Sequence, residues 1–240
     1  MKLLLVADLH YTLRQWDWLV TAAPHFDVVV IAGDLLDIGS IVPFDAQIVV
    51  VRKYLNLIHP ATDLIVSSGN HDVFQLDKNS ARNADWLQTS RSATIHVDYE
   101  SAVVEDCFFS ILPWCDTPEM LEEIQALLAT HQEEAAGKRW IWVHHAPPHG
   151  SPTSWDGQAD MGDITLPKWI ETFRPEMVLC GHIHQAPFYA KGSWIDKVHN
   201  SWVINSGRQI GAVPTATVID TKENTARWVS MEDSGEASLA

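Results

Sequence analysis

Only three cysteines, Cys107, Cys115 and Cys180, occur in 240 residues. The number is odd and no pair has C-x-x-C spacing, which argues against a disulfide framework and against a zinc ribbon. Each reads as a small buried hydrophobe. Basic residues are scarce: 16 Lys and Arg stand against 31 Asp and Glu, a net charge of −15. Tracking an extended phosphate backbone requires a basic face, so duplex DNA or RNA is a poor substrate for this chain. A small phosphorylated molecule stays open, provided that a site reverses the local sign. Long apolar runs are missing as well. No stretch approaches the roughly 18–20 apolar residues of a membrane helix. The opening Met1-Lys2-Leu3-Leu4-Leu5-Val6-Ala7-Asp8 is too short a run for a signal peptide, ends in a carboxylate and lacks a small-residue cleavage site. It reads as a first strand, and the protein as soluble and cytoplasmic, with no membrane association.

What is present is the make-up of a folded domain. Hydrophobic residues amount to 46%, which excludes general disorder. The length suits one α/β domain. No composition break marks a linker, so residues 1–230 read as a single domain and the polar stretch 231–240 as a flexible tail. Short apolar runs alternate with helical patterns. Strands are expected at 2–7, 28–32, 64–67, 94–97, 101–113, 140–143, 177–180, 201–204, 215–219 and 227–229. Helices are expected at 14–22 and 42–58. A third opens at Asp116-Thr117-Pro118-Glu119, which has capping-box spacing and a first-turn proline, and runs to about residue 134. The connection 146–165 is long and rich in Pro, Gly, Ser and Asp. Loops of that length in compact domains are functional or disordered.

The strongest signal is a coincidence that repeats. Residues 3–7 end in Asp8-Leu9-His10, and 28–32 end in Gly33-Asp34 with Asp37 beyond. Residues 64–68 end in Gly69-Asn70-His71-Asp72, 140–143 in His144-His145, and 177–180 in Gly181-His182-Ile183-His184. In a layered α/β sheet these clusters converge on one edge, where such sheets place their ligands. A buried Asp34 needs a partner. Imidazole and carboxylate together suit Mn, Fe, Zn or Co. The seven groups Asp8, His10, Asp34, Asn70, His144, His182 and His184 are too many for one tetrahedral ion. They suit two ions sharing a carboxylate, the arrangement of two-metal phosphoester hydrolysis.

The ordered set Asp-x-His, Gly-Asp-x-x-Asp, Gly-Asn-His-Asp, His and Gly-His-x-His resembles the calcineurin-like metallophosphoesterase superfamily over most of the chain. The resemblance implies an α/β four-layer sandwich, two mixed β-sheets flanked by helices, with a binuclear centre of divalent or trivalent ions at the sheet edges. Carried over residue by residue, Asp8, His10, Asp34 and His184 resemble the ligands of one metal, and Asp34, Asn70, His144 and His182 those of the other. His71 resembles the catalytic histidine beside the metals. Asp37 and Asp72 resemble residues that orient His71 or a ligand. His144 and His145 are adjacent, and on a strand they face opposite ways. Only one can be a ligand. The resemblance favours His144, leaving His145 to approach substrate or to pack. Asn205-Ser206-Gly207-Arg208 stands where many relatives read Asn-Pro-Gly-Ser, and Arg208 is a candidate phosphate donor or a surface residue.

The expected reaction is hydrolysis of small phosphomonoesters or phosphodiesters by a metal-bridging water, with His71 as general acid. A nuclease is the alternative, opposed by the acidic charge. A non-catalytic scaffold is opposed by the presence of every ligand position. Eleven tryptophans are many for this length. Trp114, Trp142 and Trp155 lie near the motifs or in the long loop, where one could stack on an aromatic group while most pack in the core. Substrate determinants are expected in 146–165 and in the segment after Asp72.

Overall fold

Strands β1 (Lys2–Val6) and β2 (Val28–Ala32) are apolar at nearly every position because both of their faces are covered. Leu4, Val6, Val29 and Ile31 enter one core cluster, whereas Leu3, Leu5, Val28 and Val30 enter another. That period of two places every second side chain on the same face. The computed structural model describes residues 1–76 and 82–240. Part of the segment after Asp72 that was expected to hold substrate determinants, residues 77–81, lies outside the described residues.

The chain continues through β3 (Asp63–Ser67), the short β4 (Gln75–Leu76), β5 (Arg82–Asn83) and β6 (Ile95–His96), then β7 (Ser101–Val104), β8 (Cys107–Ile111), β9 (Arg139–Val143) and β10 (Met177–Cys180). It ends in β11 (Ile195–Val198), β12 (Ser201–Asn205), β13 (Ala216–Asp220), β14 (Thr225–Val229) and β15 (Ser234–Ser238). One sheet runs β15-β14-β13-β1-β2-β3-β6 and the other β11-β12-β10-β9-β8-β7. In the first, β1, β2, β3 and β6 are parallel and β13 to β15 antiparallel. In the second, β8, β9, β10 and β12 are parallel and both edge strands antiparallel. Helices α1 (Leu13–Ala22) and α2 (Phe44–Ile58) bury Trp16, Leu19, Val51 and Leu55 on the outer face of the first sheet. After the short α3 (Asp85–Gln88), helices α4 (Pro118–Glu134) and α5 (Leu166–Phe173) bury Ile124, Leu128 and Trp169 against Phe108, Trp140 and Trp142 on the outer face of the second. Two mixed sheets flanked by helices result.

Part of the stretch 231–240, expected as a flexible tail, is a strand. Ser234–Ser238 forms an edge strand, with Ala237 opposite Ala226 and Gly235 opposite Trp228. Trp194 closes over it: a Cβ on Gly235 would stand 2.6 Å from the indole Nε1. Trp202 Nε1 donates to the Leu239 carbonyl at 3.1 Å, and Leu239 is buried. Trp194, just before β11, and Trp202 of β12 hold a segment that has no apolar stripe of its own. Helix α4 starts one residue later than the capping-box spacing suggests. Thr117 is its cap, accepting from Met120 N at 3.3 Å, and Asp116 is engaged elsewhere.

Asp98 has a measurable consequence for stability. Its buried carboxylate accepts from Ser68 N at 2.8 Å, just past β3. Burial pushes its carboxyl up to about 6, against the Ser68 bonds and the nearby His144. The unfolded value is about 3.9, so the folded chain holds this proton more tightly. The associated stability is complete below about pH 4 and is lost as pH rises through about 6. A change of that size corresponds to roughly 3 kcal/mol. Urea denaturation at pH 4.5 and 7.5 should show the decline in wild type and a flatter profile in Asp98→Asn.

Candidate metal centre

The functional side chains sit immediately past strand ends, in backbone conformations that side chains seldom adopt. Asp8 (φ 56°), His10 (φ 41°), Asp34 (φ 54°) and His182 (φ 67°) are all left-handed. Such strain clusters at functional sites and persists where surroundings over-determine it. Here the turns lock one another. Asp8 N donates to Gly33 O at 3.1 Å and His10 N to Asp34 O at 3.0 Å. Gly181 N donates to His145 O at 2.8 Å. His182 N donates to Asp8 Oδ2 at 3.0 Å, joining the two sheets.

These turns bring together three overlapping groups of ligand atoms, each within 4.8 Å: Asp8, His10, Asp34 and His184; Asp34, His145 and His182; and His10, Asp37 and His71. Asp34 belongs to the first two. Its Oδ2 lies 3.5 Å from His10 Nε2 and 3.3 Å from His145 Nε2, while His71 Nε2 is 3.9 Å away. Its Oδ1 accepts from His71 N at 2.8 Å. His184 Nε2 lies 3.2 Å from Asp8 Oδ1 and 3.0 Å from His10 Nε2.

His145, rather than His144, enters this cluster, which corrects the expected preference. The odd residues Ile141 and Val143 fill the space between the sheets, and His145 continues that row. Trp140 and Trp142 face the helices, and His144 continues theirs, with Nε2 3.2 Å from Asp163 Oδ2. His145 Nδ1 lies 2.7 Å from the carbonyl of Ala32. A carbonyl only accepts, so Nδ1 carries the proton and Nε2 is free to ligate. Glycine makes the approach possible. A Cβ on Gly33 (φ +85°) would stand 2.3 Å from His145 Nδ1, and one on Gly69 would stand 2.2 Å from Asp34 Oδ1.

The donor set fits a metal. Asn70 Oδ1 is buried without a hydrogen-bond partner, and the equally buried His145 Nε2 has only the charge contact with Asp34 Oδ2 at 3.3 Å. Such an orphan is costly unless something occupies it. Asn70 immediately precedes His71, whose N–H holds Asp34. Burial alone would raise both central carboxyls. The hydrogen bonds of His10 and His184 with the charge of His145 hold Asp8 well below the usual carboxylate range, and His145 and His10 lower Asp34 despite Asp8. Burial works against charge on His145, but Asp34 and Asp8 push it up to about 9. Burial and the His145 charge bring His182 down to about 4, so it is a neutral imidazole at pH 7.

The remaining expected residues are placed as follows. Burial and the His10 charge lower His71, against the attraction of Asp34 and Asp37. Ile38 N donates to its Nδ1 at 3.3 Å, leaving Nε2–H toward the cluster. Asp72 does not touch the His71 ring; it accepts from the N–H groups of Leu35, Leu36 and Gly69 at 2.9–3.2 Å. It ties the Asp34 turn to the Asn70 turn. Burial and Asp34 push its carboxyl up to about 7 against those three donors. Arg208 is held beside the centre by its backbone, donating to His184 O at 3.1 Å, and its buried Nε has no partner.

Three residues to which the sequence reading gave no place in the site help to shape it. Asp163 pairs with His144 and accepts from Thr165 N at 2.6 Å and Leu166 N at 3.2 Å where α5 begins. Asn205 donates to Thr153 O at 2.9 Å and Ile183 O at 3.1 Å, clamping the 146–165 loop to the His182 turn. Asp116 accepts the Trp114 indole N–H at 2.6 Å. The Trp114 ring lies 5.2 Å from His182 and 5.8 Å from His145. Of the other two tryptophans near the motifs and the long loop, Trp142 is core and Trp155 packs under Lys191.

Among the described residues, no helix is long and apolar enough to cross a membrane. Comparison with curated proteins gave no match. Among solved structures, the chain is similar to TT1561 of Thermus thermophilus, with 13% identity, 100% of this chain and 99% of that chain covered, and a TM-score of 0.61. It is also similar to the purple acid phosphatase PPD1 of yellow lupin, with 12% identity, 95% of this chain and 50% of that chain covered, and a TM-score of 0.58. At such identities these are likenesses of fold. The model of the calcineurin-like phosphoesterase family matches residues 1–186, and the chain belongs to that family.

Proposed function

We propose that the protein hydrolyses small phosphomonoesters or phosphodiesters with two divalent or trivalent ions, Mn, Fe or Zn, held at this centre. The observation that carries the reading is Asp34, shared by two ligand groups beside the buried, unpartnered Asn70 Oδ1. Asp8, His10, Asp34 and His184 would hold one ion; Asp34, Asn70, His145 and His182 would hold the other. When bound, such a pair lowers the pKa of water and offsets charge on phosphoryl oxygens. Two divalent ions carry about four positive charges against the two of Asp8 and Asp34, which reconciles an anionic substrate with a net charge of −15.

The chain's own groups supply the rest. Asp72 and the paired turns keep the ligands preorganised. Arg208, held against the His184 turn, offers a guanidinium to a phosphoryl oxygen. His71 faces the leaving oxygen with Nε2–H, because Ile38 N–H occupies Nδ1. A hydrogen bond to the leaving oxygen then strengthens as charge builds there. This narrows the general-acid role: full transfer requires the doubly protonated ring, which gives up the Ile38 bond.

Metal analysis combined with hydrolysis of bis-(p-nitrophenyl) phosphate tests the reading. Absence of both bound metal and Mn-stimulated turnover would refute it. His71→Ala should retain its metals and lose roughly 10²–10⁴-fold in kcat on alkyl leaving groups, with a smaller loss on p-nitrophenolate. Equal losses across a leaving-group series would remove His71 from the leaving oxygen.

A further inference from the structure

A cavity of about 450 Å³ opens beside the centre, and the candidate ligand His182 forms part of its wall. Its floor is Trp114, the indole that lies against the His182 and His145 rings. One bond holds the ring itself, one holds the Trp114 backbone, and a third holds the ring's partner. Trp114 N donates to Ser68 Oγ at 3.0 Å, and its indole N–H donates to Asp116 Oδ1 at 2.6 Å. Asp116 Oδ2 is in turn held by Arg82 at 2.7 Å. A half-buried tryptophan fixed this firmly loses little freedom on receiving a ligand. Leu121, Met161 and Ile164 add apolar walls, and among the described residues that line it there is no Lys or Arg. The carboxylates in the wall are Asp116 and Asp163. A second phosphate would meet those two carboxylates, whereas an uncharged aromatic or apolar group would find a stacking platform.

The cavity and His71 approach the centre from different flanks. His71 groups with His10 and Asp37, and none of the three lines the cavity. In an in-line displacement the attacking and leaving oxygens are opposite, and the other three oxygens are equatorial. If the leaving oxygen is at His71, a group in the cavity must hang from an equatorial oxygen, which is an ester bond that survives. We propose that the Trp114 cavity binds the uncharged aromatic or apolar arm that stays on phosphorus, so that the substrate is a phosphodiester. The assignment rests on the phosphoesterase reading above. One water is consumed. Its oxygen bonds to phosphorus as the bond to the leaving alcohol breaks. One of its protons ends on that alcohol and the other on the phosphomonoester or in solvent. The product monoester keeps the arm in the cavity.

Two esters with the same leaving group test this: 2-naphthyl p-nitrophenyl phosphate and methyl p-nitrophenyl phosphate, given to the metal-loaded protein. The naphthyl ester should show about tenfold or greater advantage in kcat/KM, the scale of one aromatic stacking contact. Trp114→Ala should bring the ratio near one. Ile164→Asp, at a position 80% exposed, alters the cavity mouth without threatening the fold and should reduce the ratio too. By calorimetry, a 2-naphthyl methylphosphonate monoester should bind about tenfold tighter than its ethyl counterpart, and Trp114→Ala should abolish the difference. A wild-type ratio near one, or a preference for p-nitrophenyl phosphate over both diesters, would overturn the assignment while leaving hydrolysis in place. No turnover of any of the three esters by metal-loaded protein would overturn the phosphoesterase reading itself, and this assignment with it.

Discussion

Asp34→Ala is expected to bind no metal at either position, whereas His10→Ala and Asn70→Ala should each lose mainly one ion. The asymmetry follows from geometry. Asp34 Oδ2 is within 3.5 Å of imidazole nitrogens from both groups, and no other carboxylate belongs to the two. Asp34 also fixes the His71 turn, because its Oδ1 accepts the His71 N–H. Removing it therefore disturbs the ligands and the proposed position of His71 together. Turnover should fall by at least about a thousandfold, the scale expected when one member of a unit acting together is lost. Asp34→Asn separates the two effects. It preserves the acceptor for His71 N but removes the charge that offsets two cations. It should match alanine in metal content and stay nearer wild type in thermal stability. Elemental analysis of dialysed protein gives the metal count. Two ions per chain in Asp34→Ala would end the bridging assignment.

Much of this arrangement was legible in the chain because the parallel strands are covered on both faces. Val28–Ala32 and Met177–Cys180 show as unbroken apolar runs, and the polar cluster after each run marks the sheet edge. The same double burial hid the parity of the site residues. Trp140-Ile141-Trp142-Val143 is apolar on both faces, so nothing in its pattern says which row looks toward Asp34. The last strand was hidden for the opposite reason. Ser234–Ser238 carries no apolar stripe, and its place depends on Trp194 and Trp202, far away in sequence. Trp114 was visible only as a tryptophan near a motif. Its function as a platform depends on Arg82, Asp116 and Ser68, three contacts that no local pattern announces. Asp72 was recognised by its motif, but its role as a tie between two turns exists only once those turns meet.

The histidine pair turns that hidden parity into an experiment. His145→Ala should lose one of two ions and nearly all turnover, because it removes a nitrogen 3.3 Å from Asp34 that belongs to the second ligand group. His144→Ala should keep both ions. Its ring pairs with Asp163 on the helix side, and Asp163 would still be held by Thr165 N and Leu166 N. The cost there is stability, about 1–3 kcal/mol for a buried partner left short of a bond, seen as a lower denaturation midpoint with turnover within a few-fold of wild type. Without metal, the contrast is electrostatic as well. His145 is drawn toward the imidazolium by two buried carboxylates, so losing it leaves Asp8 and Asp34 less well compensated, and apo His145→Ala should be less stable than apo wild type at pH 7. The reverse result, with two ions retained in His145→Ala and one lost in His144→Ala, would mean that β9 presents the other row to the centre and that His144, not His145, completes the second ligand group.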